Sequence, residues 1–347
     1  MTDASKLGRR RRTTLADVAA HAGVSVALVS IVMRDARGAS ETTRELVRRA
    51  AQELGYRPDS RARLLRRSRS QLIGVVFGVQ HPFHGDLVSG LYEAADAVGY
   101  ELALSAVTSG RDERRAIAGL LQDRCEAMIL LGPQLPAADL AELAARMPVV
   151  VVARAVRHRA VDVVRTDDAA GLHLAIDHLV DLGHTRIAHI DGGRAPGAAE
   201  RRRGYREALQ GYGLTDAGHI VPGGVTEDEG AAAAQALLRT TPRATAVAVF
   251  NDRCATGVLD ATRRADLSVP SDMSVVGFDD SSLARLSHVA LTTVAQDVDR
   301  ISTLAVTRAI ARLDQLDPVG DREQVISPRL VVRGTTAPPP RPLGAER

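Results

Sequence analysis

Apolar positions follow two different patterns along this chain. Between residues 14 and 55 they recur with helical spacing, and from Leu72 onward they come as short solid runs between longer amphipathic stretches. In "TTLADVAAHAG", Leu15, Val18, Ala19 and Ala22 stand at i, i+3, i+4 and i+7, one face of a helix. Thr14 is placed to cap it, and Asp17 three residues on suits a first turn. Gly23 breaks that helix, and Ser25 caps a second over Val26–Met33. A third runs from the Ser40 cap to Gly55, with Leu46, Ala50 and Leu54 as its packing face. Helix, tight glycine turn, helix: the pattern predicts a helix-turn-helix.

In the rest of the chain, "LIGVVFG", "YELALSAV", "AMILLG", "VVVVA", "RIAHID", "AVAVFN" and "MSVVGFDD" read as buried strands. Helical stretches lie between them, around Asp86–Val98, in "RDERRAIAGLLQ", at Ala137–Arg146, and in "GLHLAIDHLVDLG", "ERRRGYREALQ" and "RCATGVLDATRRA". Such alternation predicts parallel sheets covered on both faces. The strands are too many for one compact sheet. The expected fold class is therefore a small all-α helix-turn-helix head on an α/β body of two doubly wound parallel-sheet lobes.

Composition adds little until charge is divided by region. A length of 347 residues suits two or three domains, and 45% hydrophobic with 25% charged residues is ordinary for a globular protein. The two cysteines, Cys125 and Cys254, have no CxxC spacing, which suits a reducing compartment and no zinc site. Residues 1–70, however, hold 16 Arg or Lys against 7 Asp or Glu, a net of +9, while the remainder nets −6. A basic head on an acidic body calls for a polyanionic partner.

A second reading competes for the N-terminus. Arg9–Arg12, the apolar Val24–Met33 and the small residues Ala36–Ala39 can be laid onto the plan of an export signal, and Arg11-Arg12 onto a twin-arginine signal. Against it stand Asp17 and His21 inside the segment, its helical period, and a third helix that a cleaved signal does not need. No apolar run reaches the ~18 residues that span a bilayer.

"TLADVAAHAGVSVALVSIVM" followed by "SETTRELVRRAAQELGYRPDSRARLL" resembles the head of the lactose-repressor (LacI/GalR) family of bacterial transcription regulators. The family pattern is roughly TLxDVAxxAGVSxxTVSRVLN, then VSxxTRxxVxxAxxELGYxPNxxAxxL. "YRPDSRARLLRRSRSQ" matches its hinge. The resemblance implies that Leu65 wedges into the minor groove and that Arg61 and Arg63 contact phosphates. It also implies DNA contacts from Thr14, Ser25, Leu28 and Ser30, with Val26, Ala27 and Ile31 facing base edges. Family members carry polar groups at these last positions, whereas this helix is apolar. The expectation is that it reads thymine methyls. Ser25, Ser30 and the N-terminal arginines would bond to phosphate.

The body resembles the family too, in "HPFHGDLVSG", "HLVDLGHTRIAHIDG", "ERRRGYREAL", "VPSDMSVVGFDD" and "LTTV". That implies a periplasmic-binding-protein-like domain with an effector cleft. Ligands of parallel sheets sit beyond the strands' C-terminal ends, which selects Phe83, Arg154, Asn251 and Asp279, and the resemblance adds Gln296, which matches a polar crossover position. Arg201 matches the family's R-x-x-G position. The implied divisions are a basic arm at 1–13, a DNA-binding domain at 14–58 and a hinge at 59–71. An effector-binding and dimerisation domain follows at 72–335, with lobe 1 at 72–166 and 297–327 and lobe 2 at 167–296 and 328–335. A Pro-rich disordered tail at 336–347 ends the chain. His178, His184 and His189 have spacings of six and five, which do not stack on one helix face, so no metal is expected. Asp279-Asp280 lacks a placed nucleophile or acid, so no catalytic residue and no cofactor are expected either. The resulting expectation is a cytoplasmic, nucleoid-associated homodimeric repressor. Its partners would be a near-palindromic double-stranded DNA operator and a small sugar-like effector, with no membrane.

Overall fold

The computed structural model describes residues 13–33, 36–56, 69–240, 243–315 and 321–340. The chain divides into two compact units, residues 1–70 and 71–347. In the first, α1 is Leu15–Ala22, α2 Val26–Met33 and α3 Glu41–Glu53. Thr14 and Asp17 form a capping box over α1: the Thr14 N–H donates to Asp17 Oδ2 at 2.8 Å, and the Asp17 N–H donates to Thr14 Oγ1 at 3.3 Å. Gly23, at φ +64°, ends α1 in the left-handed conformation. α1 and α2 then meet at 106°, inside the helix-turn-helix range of about 90–120°.

Val18, Ala19, Ala22, Val29, Val32, Val47, Ala50 and Ala51 form the head's core. The face expected for α3 needs correction here. Leu46 is 38% exposed, and the buried positions are Val47, Ala50 and Ala51, with Leu54 packed beside them. Val47, Ala50, Ala51 and Leu54 stand at i, i+3, i+4 and i+7, whereas Leu46 lies one residue, ~100°, off that stripe.

The second unit has two lobes. Lobe 1 begins with β1 (Leu72–Gly78), α4 (Pro82–Asp96), β2 (Glu101–Val107), α5 (Glu113–Gln122), β3 (Ala127–Leu131), α6 (Ala137–Ala144), β4 (Val149–Val152) and β5 (Asp162–Thr166). Lobe 2 continues with α7 (Asp168–Asp181), β6 (Ile187–Asp191), α8 (Ala198–Gly211), β7 (His219–Pro222) and α9 (Glu227–Leu238). It is completed by β8 (Ala246–Val249), α10 (Asp252–Arg264), β9 (Ser274–Asp279) and β10 (Thr292–Ala295). The chain then returns to lobe 1 for α11 (Val298–Leu313) and β11 (Glu323–Ile326), and closes on lobe 2 with β12 (Arg329–Val331).

Strand order is β11-β5-β4-β3-β1-β2 in one sheet and β12-β10-β9-β8-β6-β7 in the other. Every residue of β3 and β4 is buried, as sheets covered on both faces require, which is why these strands read as solid apolar runs. Strand order reverses between β1 and β3 and between β6 and β8, and these switch points are where such folds open a crevice. One strand departs from the all-parallel expectation: β12 pairs antiparallel with β10. β11 ends at the cleft, and only residues 327 and 328 separate it from β12. A chain entering lobe 2 there must run away from the cleft, with no length for a crossover helix.

The C-terminal tail also differs from expectation. The Val275 N–H donates to Thr335 O at 2.8 Å, and the Thr335 hydroxyl donates back to Val275 O at 2.7 Å. The Ala337 N–H donates to Ser274 Oγ at 3.0 Å. Residues 336–340 are thus placed rather than disordered, because the residues just before the prolines still have backbone groups to pair with β9. Residues 341–347 lie outside the described residues.

Candidate functional site

In the head, Ser25 Oγ accepts the Leu28 N–H at 3.2 Å, so the serine caps α2 while its own hydroxyl proton remains available to a phosphate. Val26 is 47% exposed and Ala27 is exposed, while Leu28, Ser30 and Ile31 are half-buried. Val29 and Val32 point into the core. α2 therefore turns an apolar leading edge outward, at Val26 and Ala27. Arg9–Arg12, Arg61, Arg63 and Leu65 lie outside the described residues.

In the body, a small cavity of about 60 Å³ lies between the lobes. Its lining comes from both switch points and includes Phe83, Arg201, Asn251, Asp279 and Gln296, five of the six residues expected there. Arg201 is its centre. Gly204 explains how it gets there: a Cβ at that position would lie 2.3 Å from the Ala169 carbonyl oxygen, so glycine lets α8 pack against the backbone of α7. The Arg201 Nε–H donates to Asp168 Oδ1 at 2.8 Å, and the guanidinium also bonds to Phe250 O and lies 3.7 Å from Asp279 Oδ1. Its Cζ sits 3.5 Å from the Phe278 ring centre and 4.6 Å from that of Phe250. Stacking plus a rigid fork of donors is the use that distinguishes Arg from Lys.

Asp279 closes β9 at φ +114°, an uncommon conformation for a non-glycine residue and typical of strained functional positions. Gln296 Nε2 donates to Asp279 Oδ1 at 2.8 Å, and Thr166 Oγ1 donates to Gln296 Oε1 at 2.5 Å. The Asp279 side chain is thereby tied to two of the segments that cross between lobes. Burial pushes its carboxyl above the ordinary range, against the pull of Arg201. Burial also pushes up Asp252, which accepts from the Ser281 N–H at 2.7 Å and from Thr293 Oγ1 at 2.6 Å. Asp168 is likewise raised by burial, with Arg201 opposing. Asp168 and Asp279 thus share one guanidinium, and burial favours the protonated form of each while Arg201 opposes it.

Three expected residues have other work. Arg154 does not line the cavity: its Nη1 donates to Pro133 O and Leu135 O, both at 2.7 Å, so it holds the loop after β3. Asn251 lines the cavity, but its Oδ1 caps α10 through the Cys254 N–H at 2.7 Å and its Nδ2 donates to Val225 O at 3.2 Å. Phe83 is 6% exposed and belongs mostly to the lobe 1 core. The sequence reading missed His84, Asp168 and Pro196, which also line the cavity. "HPFH" did carry a signal for His84, since a histidine one turn into a helix that follows a strand end faces the same crevice. Of the three tempting histidines, His184 bonds to Thr245, Ser274 and Ala337, His178 to Thr336, and His189 to Ala248. No group of three or more metal-ligating side chains occurs among the described residues.

Comparison with known proteins agrees with this geometry. The family description "Bacterial regulatory proteins, lacI family" matches residues 14–59, and "Periplasmic binding protein-like domain" matches residues 176–336. The chain is 34% identical to the HTH-type transcriptional regulator GalR of Escherichia coli K12 over 94% of this chain and 96% of that one. A LacI transcriptional regulator from a Rhodococcus species superposes with a TM-score of 0.75 at 49% identity, covering 78% of this chain and all of that one. The lac repressor dimer bound to operator and the anti-inducer ONPF superposes with a TM-score of 0.77 at 28% identity, covering 94% of this chain and all of that one. With a head built as a helix-turn-helix and a two-lobed body closing on a polar cavity, the chain belongs to the lacI family of bacterial regulatory proteins, and it is a DNA-binding transcription regulator of the cytoplasm rather than an enzyme.

Proposed function

We propose that the protein is a homodimeric repressor that reads a near-palindromic operator and loses or gains operator affinity when a polar, sugar-like effector enters the inter-lobe cavity. The observation that carries this reading is the Thr166–Gln296–Asp279 chain of hydrogen bonds, which ties the cavity's carboxylate to the crossover segments. A ligand that bonds to Asp279 and Arg201 changes the set of contacts on those segments, and any change in lobe arrangement is felt at Leu72, where the body begins. Effector and operator then bind with reciprocal coupling. Hydroxyls suit the cavity: carboxylates accept from them and the guanidinium donates to them. At about 60 Å³ the cavity is far below the ~300–1,000 Å³ of ordinary ligand sites, so the lobes part to admit a ligand.

On the DNA side, α2 reads thymine methyl groups through Val26, Ala27 and Ile31, with Thr14, Ser25, Leu28 and Ser30 beside the backbone. Arg61 and Arg63 add phosphate contacts and Leu65 the minor-groove wedge, and operator binding makes the protein nucleoid-associated. The test is operator selection from random DNA with the full chain, followed by anisotropy titration over a salt series and a sugar panel. The reading expects a two-fold symmetric site, a log–log salt slope of several units and at least one sugar that shifts the curve. A chain starting at Gln71 that bound the same site equally well would refute the head's role, and a panel without effect on operator binding would refute the cavity's.

A further inference from the structure

The two lobes also bond to each other away from the crossovers. Among the described residues, the hydrogen bonds that join them outside the crossover segments all start from one side chain, Arg253 in the first turn of α10. Its Nη1 donates to the main-chain carbonyl of Gln80, in the loop between β1 and α4, and to Gln80 Oε1 at 3.2 Å. This contact stands at the edge of the inter-lobe cavity. Gln80 precedes His81, and Arg253 is two residues past Asn251; His81 and Asn251 line the cavity, while Gln80 and Arg253 do not.

Arg253 is held ready for the contact from its own lobe. Its Nε donates to Glu227 Oε2 at 2.6 Å. Asn251 caps α10 through the Cys254 N–H and bonds back to Val225 O, which fixes the start of α10 against the turn before α9. Glu227 opens α9, so both members of the ion pair belong to lobe 2 and travel together. The planar guanidinium lets Nε serve Glu227 while Nη1 reaches across to lobe 1. The contact is also readily broken. Gln80 is exposed, so when the lobes part its carbonyl meets water and Arg253 keeps Glu227. A charged hydrogen bond in this partly exposed setting biases an equilibrium by about tenfold.

We propose that Arg253 is an autoinhibitory latch: its bond to Gln80 holds the empty cleft shut and breaks before an effector is seated. With the latch made, the enclosed cavity is about 60 Å³, far below the size of an ordinary ligand site, so the latched and the occupied cleft exclude each other. Effector affinity is then lowered in proportion to the fraction of molecules that are unlatched, and a change that removes the latch restores it. The consequence runs opposite to that of a binding residue: losing Arg253 tightens effector binding. The effect on effector affinity rests on the cleft being the effector site; the latch between the lobes does not.

The test uses the full chain carrying Ala195→Cys, which places a thiol on the cavity wall. The native Cys125 and Cys254 are buried, and burial pushes both thiols up to about 12, so they react slowly. The rate of alkylation by iodoacetamide then reports how often the empty cleft opens. Adding Arg253→Met is expected to raise that rate about tenfold, and Gln80→Ala, which keeps the carbonyl, to raise it by a smaller factor. Arg264→Met, which removes an exposed pair with Asp260 on the same helix, should leave it unchanged. Calorimetric titration with galactose, ribose and cellobiose, on chains without the added cysteine, should show any sugar that binds doing so about tenfold tighter in Arg253→Met. An alkylation rate that does not respond to Arg253→Met overturns the latch. So does sugar binding that is equal or weaker in Arg253→Met, the sign of a lost ligand contact or of general loosening. If none of the three sugars binds either chain, the effector reading of the cleft falls, and the alkylation rate alone upholds or overturns the latch.

Discussion

Arg201→Ala should cost the body far more than a ligand contact. Arg201 is 6% exposed, and its removal strips Asp168 of its guanidinium partner, takes the nearest cation from Asp279, leaves Phe250 O without that donor and bares two aromatic faces. Breaking a buried ion pair from one side typically costs about 3–5 kcal/mol, because the remaining charge stays buried and unpaired. At roughly 2–4 °C per kcal/mol for a domain of this size, the body's calorimetric transition should fall by about 6–20 °C. The deficit should also depend on pH. Asp168 and Asp279 already sit above their ordinary pKa through burial, with Arg201 pulling against it. Without Arg201 they rise further. A carboxyl whose folded pKa exceeds its unfolded value favours folding when protonated, and that stability is lost as pH climbs through the folded pKa. The deficit should therefore be larger at pH 8 than at pH 6. Arg203→Ala, on the same helix but exposed and 3.6 Å from Glu207, is the control and should cost under about 1 kcal/mol. A loss below 1 kcal/mol for Arg201→Ala, or one that shrinks as pH rises, would refute the keystone role.

Tyr205→Phe should destabilise lobe 2 by about 1–3 kcal/mol in urea titration, because Tyr205 accepts the His219 N–H at 2.9 Å and donates to Ile187 O at 2.7 Å; an unchanged midpoint would contradict this. A hydroxylic effector that donates to Asp279 binds its ionised form, so binding should release a proton and tighten as pH rises through the elevated pKa. Calorimetry in buffers of different ionisation heat checks this, and Asp279→Asn should abolish the dependence; proton uptake in the native protein would be the wrong sign. Deoxyuridine in place of each operator thymine removes one methyl, worth ~0.8 kcal/mol, so at one or more positions affinity should drop about fourfold. No loss at any position would end methyl readout.

The head was legible because its signals are local: a capping box within four residues, a glycine where φ must be positive, and one apolar stripe per helix. Its one error, Leu46 for Val47, arose because both neighbours are apolar and only packing against α1 and α2 shows which faces inward. That Arg201 and Asp279 line the inter-lobe cavity was legible from a strand end and from the resemblance at R-x-x-G. Arg154 satisfied the same strand-end rule, but the carbonyls it serves belong to a loop some twenty residues earlier, and no local pattern reports that meeting. His84 went unread for a related reason. Its Nδ1 is committed to Gly78 by the turn between β1 and α4, and that commitment turns a core histidine into a donor facing the cavity. Short β7 and the alanine-rich α9 carry too little apolar contrast to stand out beforehand.

The chain's three passages between lobes have a consequence for synthesis. Lobe 1 lacks its edge strand β11 and its covering helix α11 until lobe 2 has been made. α11 brings Arg308 and Arg312 to the buried Asp162, at 3.2 and 2.6 Å, so that carboxylate has no guanidinium partner until then. About 130 residues separate the end of β5 from the start of α11, which at ~5–20 residues per second is roughly 7–26 s on the ribosome. The head, finished within the first seventy residues, can fold at once. A nascent chain thus acquires its DNA-reading module early and its ligand-sensing body only after the second lobe has been made, and the half-built first lobe, with an unpaired sheet edge, is the stage at which a chaperone has most to protect.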